Sequence, residues 1–218
     1  LRDFHYELFP LKNIKEIEAL LKDTKGLAGL NVTIPYKEQV LKYLDEVDGS
    51  AKKIGAVNVI KIHDGKLKGF NTDSDAFYET IEKWLPKDKI FKALILGTGG
   101  SSKAVQEALK KLAIEYKVVS RKSKKGDLTY EDLEKNPKLI SDSHLVINTT
   151  PLGMSPNTET MPPVDFEQIT PEHYVYDLIY NPARTMFLQK AEMRNATIKN
   201  GLEMLHIQAE KSWMIWNN

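Results

Sequence analysis

The stretch from Phe91 to Leu112 constrains the fold more than any other part of the chain. A nearly unbroken apolar run, Phe91-Lys92-Ala93-Leu94-Ile95-Leu96, leads directly into Gly97-Thr98-Gly99-Gly100-Ser101-Ser102 and then into helical spacing from Lys103 to Leu112. A strand that is apolar on both faces belongs inside a parallel sheet, and parallel neighbours must be joined by helical crossovers. The downstream sequence supplies them: a strand at Tyr116–Ser120, a basic loop, a short helix near Tyr130–Glu134, and a strand at His144–Asn148. A proline-rich loop covers Thr149–His173, and a strand (Tyr174–Leu178), a helix (Arg184–Arg194) and a closing helix (Glu203–Trp216) follow. Strands alternating with helices predict right-handed βαβ units and a Rossmann-like open sheet.

The first third reads differently. Alternation over Phe4–Leu8 predicts a strand, and Asn13 with Glu16 three residues on predicts a capped helix through Leu21. Gly29–Ile34 predicts a strand stopped by Pro35, and Tyr36–Leu44 a helix. Ala56–Ile62 and Lys66–Phe70 flank Asp64-Gly65 as a hairpin, with a helix from Ser74 to Trp84. Leu85-Pro86 then breaks the pattern. The expected architecture is two α/β domains flanking a cleft. The first comprises residues 1–82 plus the closing helix, 203–218, and the second residues 83–202.

Lys+Arg 31 against Asp+Glu 30 leaves a net charge of +1, without the basic excess that nucleic acid recruits. No window approaches the roughly eighteen apolar residues of a membrane helix. With Cys 0 there is no disulfide framework and no thiolate chemistry, which fits a reducing, cytoplasmic setting. The histidines show no ligand spacing, so no metal site is expected.

The glycine-rich turn sits between strand and helix, where backbone N–H groups and a helix N-terminus meet a pyrophosphate, although Ser102 stands where a third glycine would fall. Some 20 residues on, NAD sites carry an acid for the ribose hydroxyl. Here Val118–Lys125 contains none and offers Arg121 instead, a bidentate partner for a 2′-phosphate. NADP(H) is the expected cofactor. Upstream, Thr33, Lys37, Asn58 and Asp73 stand at strand ends, where ligands collect in open sheets.

Seven blocks in order give the chain a resemblance to the shikimate dehydrogenase family over essentially its whole length. They are Asn31–Lys37 (NVTIPYK), Gly55–Asn58 (GAVN), Asn71-Thr72-Asp73, Gly97–Ser101 (GTGGS), Asn148–Met154 (NTTPLGM), Tyr180-Asn181-Pro182 with Thr185, and Asn200–Leu205 (NGLEML) ending at Gln208. The resemblance implies NADP-dependent reduction of 3-dehydroshikimate to shikimate. It implies Lys37 as the catalytic residue and Asp73 as its partner, with Thr33, Asn58, Asp73, Tyr180 and Gln208 around the substrate. On the cofactor side it implies Gly97, Thr98, Gly99, Gly100 and Ser101 for the pyrophosphate, Ser120, Arg121 and Lys122 for the 2′-phosphate, and Thr149, Leu178, Gly201 and Met204 near the nicotinamide. The only partner expected beyond the cofactor is a small-molecule substrate, with no nucleic acid, no membrane, and a monomeric or homodimeric state.

One family element has no counterpart here: the Ser-x-Ser motif that holds the substrate carboxylate. The chain opens where the family's second strand would, so the first strand-helix unit is expected to be missing from it. A quinate/shikimate dehydrogenase with looser cofactor choice and a non-catalytic shikimate- or nucleotide-binding paralogue remain as alternatives.

Overall fold

The computed structural model describes residues 4–218; Leu1–Asp3, which the sequence reading places in the first domain, lie outside the described residues. The first part of the chain runs α1 (Glu16–Asp23), β1 (Gly29–Asn31), a 3-10 turn at Gln39–Tyr43, β2 (Glu46–Val47), α2 (Gly49–Ile54), β3 (Val59–His63), β4 (Lys66–Phe70) and α3 (Asp73–Trp84). The second runs β5 (Lys92–Leu96), α4 (Gly100–Lys111), β6 (Glu115–Ser120), β7 (Leu128–Thr129), α5 (Tyr130–Lys135), α6 (Lys138–Ser141), β8 (Leu145–Asn148), β9 (Tyr174–Asp177), α7 (Met186–Met193), β10 (Thr197–Asn200) and α8 (Leu202–Asn217).

The strands form two sheets. In the smaller, ordered β1-β3-β4-β2, β3 pairs antiparallel with β1 and β4, and β2 lies parallel to β4. Asp64 and Gly65 close the hairpin at φ 49° and 72°, the left-handed pair that a two-residue primed turn requires. The larger sheet is parallel throughout, in the order β10-β9-β8-β5-β6-β7. Chain direction across the sheet reverses between β5 and β8, the switch point outside which open sheets gather ligands.

Alternate residues of the long sheet enter opposite cores. Ala93, Ile95, Leu145, Ile147 and Tyr176 face α3, α4 and α8 through Phe77, Ile81, Val105, Leu109 and Met204. Leu94, Leu96, Val119, Val146 and Val175 face the other way, toward Leu133, Ile140, Phe187 and Leu188. Each buried Val, Leu, Ile, Phe or Met among them contributes about 1.5–3 kcal/mol on leaving water. The expected boundary at residue 82/83 falls within α3, whose buried face joins the core of the long sheet while its N-terminus enters the cleft. Helix α8 returns to the first sheet, where the Trp216 indole N–H donates to the Ile60 carbonyl (3.0 Å).

Several local expectations change. Phe4–Leu8 is not a strand: its backbone has no sheet partner, and Phe4, Tyr6 and Leu8 are exposed. The helix expected at Tyr36–Leu44 is only a 3-10 turn, because Asp45 N–H already bonds the Leu67 carbonyl (3.0 Å) and leaves no room for a further α turn. Helix α2, capped by Asp48 accepting from Ser50 N–H, the short strands β2 and β7, helix α6 and edge strand β10 are additions to the sequence reading.

Candidate active site

Elements from both ends of the chain build one polar cluster in the cleft. Lys37 follows Pro35, which ends the extended run after β1, and its Nζ donates to Asp73 Oδ2 (2.7 Å) in the first turn of α3. Both side chains are largely buried, so the pair is screened much less than a surface ion pair. Asn58 Nδ2 donates to Asp73 Oδ1 (3.0 Å) and to Thr72 Oγ1 (2.9 Å), while Asn58 Oδ1 accepts from Thr72 N–H (2.8 Å). Gln208 on α8 completes the cluster: its Oε1 lies 3.4 Å from Asn58 Nδ2, and its carbonyl accepts from the Thr72 hydroxyl (3.2 Å). Asp73 therefore accepts from two donors fixed by other elements, which sets the orientation of its carboxylate.

The cofactor-side turn reaches the same point. Lys37 Nζ lies 3.5 Å from Ser101 Oγ, and a Cβ built on Gly100 would sit 3.0 Å from Lys37 Cβ. Gly97 adopts φ 113°, and a Cβ there would press on Thr149 Oγ1 at 2.8 Å. Thr149 is itself pinned across the switch point, its hydroxyl and N–H both donating to the Leu96 carbonyl (2.7 and 3.0 Å). Gly99 caps α4 without a side-chain bond, and a Cβ on it would meet open space. The first N–H groups of α4 are thus left for an anion, and Thr98 is half-buried beside them. Ser120 Oγ accepts from Lys122 N–H (3.1 Å), and Arg121 and Lys122 are exposed with no carboxylate partner among the described residues. This donor set fits a phosphorylated dinucleotide.

Not every expected residue joins the cluster. Thr33 and Tyr180 are exposed and make no side-chain hydrogen bond among the described residues. Met204 is buried in the core of the long sheet. Leu178 and Gly201 meet backbone to backbone: Gly201 N–H donates to the Ile179 carbonyl (3.2 Å), and a Cβ on Gly201 would lie 2.6 Å from the Leu178 carbonyl carbon.

Residues 2–60 match the family model described as the shikimate dehydrogenase substrate binding domain. Shikimate dehydrogenase (NADP(+)) of Methanosphaera stadtmanae is 38% identical over 98% of this chain and 79% of its own length. The chain belongs to the shikimate dehydrogenase family. The crystal structure of the Thermus thermophilus family member in complex with NADP(H) and shikimate is 30% identical, with a TM-score of 0.81 over 94% of this chain and 79% of that one. Quinate dehydrogenase from Corynebacterium glutamicum in complex with NAD is 28% identical, with a TM-score of 0.79 over 94% and 77%.

In this member of the shikimate dehydrogenase family, two functional positions escaped the sequence reading. Thr72 links Asn58 to Gln208, and its place inside the Asn-Thr-Asp block was the available signal. Asp177, at the end of β9, is fully buried and ties the cofactor-side loops together: it accepts from Thr185 Oγ1 (2.6 Å), Asn148 Nδ2 (3.0 Å) and Ile179 N–H (3.0 Å). Burial pushes its carboxyl up to about 7, against the pull of those three donors. Between the ordinary carboxylate range and 7 the folded chain therefore holds a proton that the unfolded chain releases. The stability contributed by that proton is complete in acid and lost as pH rises through 7. The expected result is a wild-type Tm that declines between about pH 5 and pH 8, and a flatter profile for Asp177→Asn. Parallel profiles for the two proteins would refute this.

Proposed function

We propose that this chain catalyses the reversible, NADPH-dependent reduction of 3-dehydroshikimate to shikimate, a step in aromatic amino-acid biosynthesis. The observation that carries the reading is the buried Lys37–Asp73 pair, held directly against the first turn of α4. NADPH, when bound, supplies the hydride. As negative charge develops on the substrate oxygen, Lys37 Nζ delivers the proton, and Asp73 holds the ammonium in place while accepting from a ring hydroxyl. Asn58 and Gln208 present amides to the remaining hydroxyls, with Thr33 and Tyr180 closing the outer side.

In this reading residues 4–82 with α8 bind the substrate and residues 83–202 bind NADP(H). Gly97–Ser101 hold the pyrophosphate, Ser120, Arg121 and Lys122 the 2′-phosphate, and Thr149, Leu178, Gly201 and Met204 border the nicotinamide. Lys37, Asp73 and the turn come from one chain, so a monomer or a homodimer serves equally. The substrate and NADP(H) are the partners and the cytoplasm is the setting; among the described residues no helix is long and apolar enough to cross a membrane.

Initial rates with shikimate and NADP+, with shikimate and NAD+, and with quinate test the reading. Turnover with shikimate and NADP+ is expected; equal turnover with NAD+ and quinate would establish the looser quinate/shikimate enzyme, and no turnover at all a binding module. Arg121→Ala is expected to raise the KM for NADP+ by about 10- to 100-fold, the worth of a charged hydrogen bond, and to leave NAD+ kinetics unchanged. An unchanged NADP+ KM would remove Arg121 from the 2′-phosphate site.

A further inference from the structure

The three glycines of the turn are needed for different reasons. Gly97 sits at φ 113°, where only glycine is unstrained, and a Cβ on Gly99 would meet open space. Gly100 fits neither description. It is the first residue of α4, its φ lies outside the left-handed region, and glycine in a helix is less stable than alanine. What excludes a side chain there is Lys37. A Cβ on Gly100 would stand 3.0 Å from Lys37 Cβ and 3.6 Å from Lys37 Cδ, with Ala56 Cβ at 3.3 Å.

The lysine stem therefore runs along the first turn of α4, from Gly100 at its root to Ser101, whose Oγ lies 3.5 Å from Nζ. Neither wall of this track can retreat. On one side α4 is held by Val105, Ala108 and Leu109, which share a buried core with Ala76, Phe77 and Ile81 of α3. On the other, the Lys37 carbonyl accepts from Val57 N–H (2.7 Å), next to the fully buried Ala56. A methyl added at Gly100 is thus accommodated by the lysine side chain, at the far end of which Nζ bonds Asp73 Oδ2 (2.7 Å).

We propose that Gly100 is a positioning residue for Lys37. Its N–H stays available to the pyrophosphate, while its missing side chain sets where the ammonium stands relative to Asp73 and the substrate oxygen. The inference rests on the reading of Lys37 as proton donor and of Gly97–Ser101 as the pyrophosphate turn. It gives two neighbouring glycines separate duties, Gly99 leaving room for the cofactor and Gly100 for the lysine. A shift of about 1 Å in a reacting group slows transfer about 100-fold, and a fraction of that shift about 10-fold.

The test uses the full chain. Gly100→Ala is expected to lower kcat about 10-fold while the Kd for NADP+, measured by isothermal titration calorimetry, stays within about 3-fold. Gly99→Ala is expected to do the reverse, weakening NADP+ more than it slows turnover. Should Gly100→Ala not fold, Ala56→Gly added to it removes the second contact and keeps the one with Lys37, and the same split is expected. A thermal-melting cycle reads the contact without turnover. Gly100→Ala should shift Tm by about 2–4 °C more favourably in a Lys37→Gly background than in wild type, because that background lacks both lysine atoms. A Gly100→Ala kcat within about 3-fold of wild type, the same split for Gly99→Ala and Gly100→Ala, or equal Tm shifts in both backgrounds would each overturn the proposal. Absence of wild-type turnover would instead overturn the function, and the melting cycle alone would decide the contact.

Discussion

Replacing Lys37 with Ala is expected to lower kcat by about 10²- to 10⁴-fold with only a small change in the KM for shikimate, because a positioned proton donor acts in the transition state and not in ground-state binding. Part of any loss will come from a second source. Asp73 would be left buried with Asn58 as its one remaining side-chain donor, and breaking a buried pair costs about 3–5 kcal/mol. Lys37→Arg separates the two effects. A guanidinium keeps the charge beside Asp73 but does not give up its proton, so Tm should recover while kcat stays low. If Lys37→Ala, corrected for its folded fraction, keeps kcat within about 10-fold of wild type, Lys37 is not the donor.

The second large effect is steric. Gly201→Ala would force a methyl into the Leu178 carbonyl, and backbone cannot rotate away as a side chain can. A cost of about 3 kcal/mol, the upper end for overpacking, corresponds to a Tm lower by roughly 6–12 °C in a chain of this size. The same displacement moves the end of β9 and the start of α8, so NADP+ affinity should fall as well. Gly49→Ala is the control: Gly49 likewise stands at a helix start, as the first residue of α2, and a Cβ there meets nothing within 4 Å. If both variants melt together with wild type, the Gly201–Leu178 contact is not tight in solution.

Much of this was legible in the sequence, for identifiable reasons. The run Phe91–Leu96 is apolar on both faces because β5 lies between β6 and β8 under helices on both sides, so burial wrote itself directly into composition. The Asp-Gly hairpin is fixed by local turn chemistry, and the helix after Asn71-Thr72-Asp73 by Asn71 Oδ1 accepting from Ser74 N–H. What failed was decided at long range. Strand β10 is polar and short, and pairs only because β9 offers a free edge. Phe4–Leu8 has the alternation of a strand, but no sheet edge pairs with it. In the site, the residue types of Lys37, Asp73, Asn58 and Gln208 announced a polar cleft, whereas their convergence depends on α8 returning over 150 residues from Asn58. The approach of Gly100 to Lys37 is visible only once the two sheets are set against each other.

That return of α8 also orders events during synthesis. The segment carrying Lys37, Asn58 and Asp73 leaves the ribosome before the long sheet does, yet the Ile60 carbonyl takes its bond from Trp216, Asn31 Nδ2 donates to Ser212 Oγ, and a Cβ on Gly29 would collide with the Trp216 ring. The lobe made earlier is thus completed last. Until residues 202–217 emerge it presents an uncovered sheet face to solvent, and a nascent chain stopped before Gln208 can carry the whole six-stranded sheet and still lack a finished polar cleft.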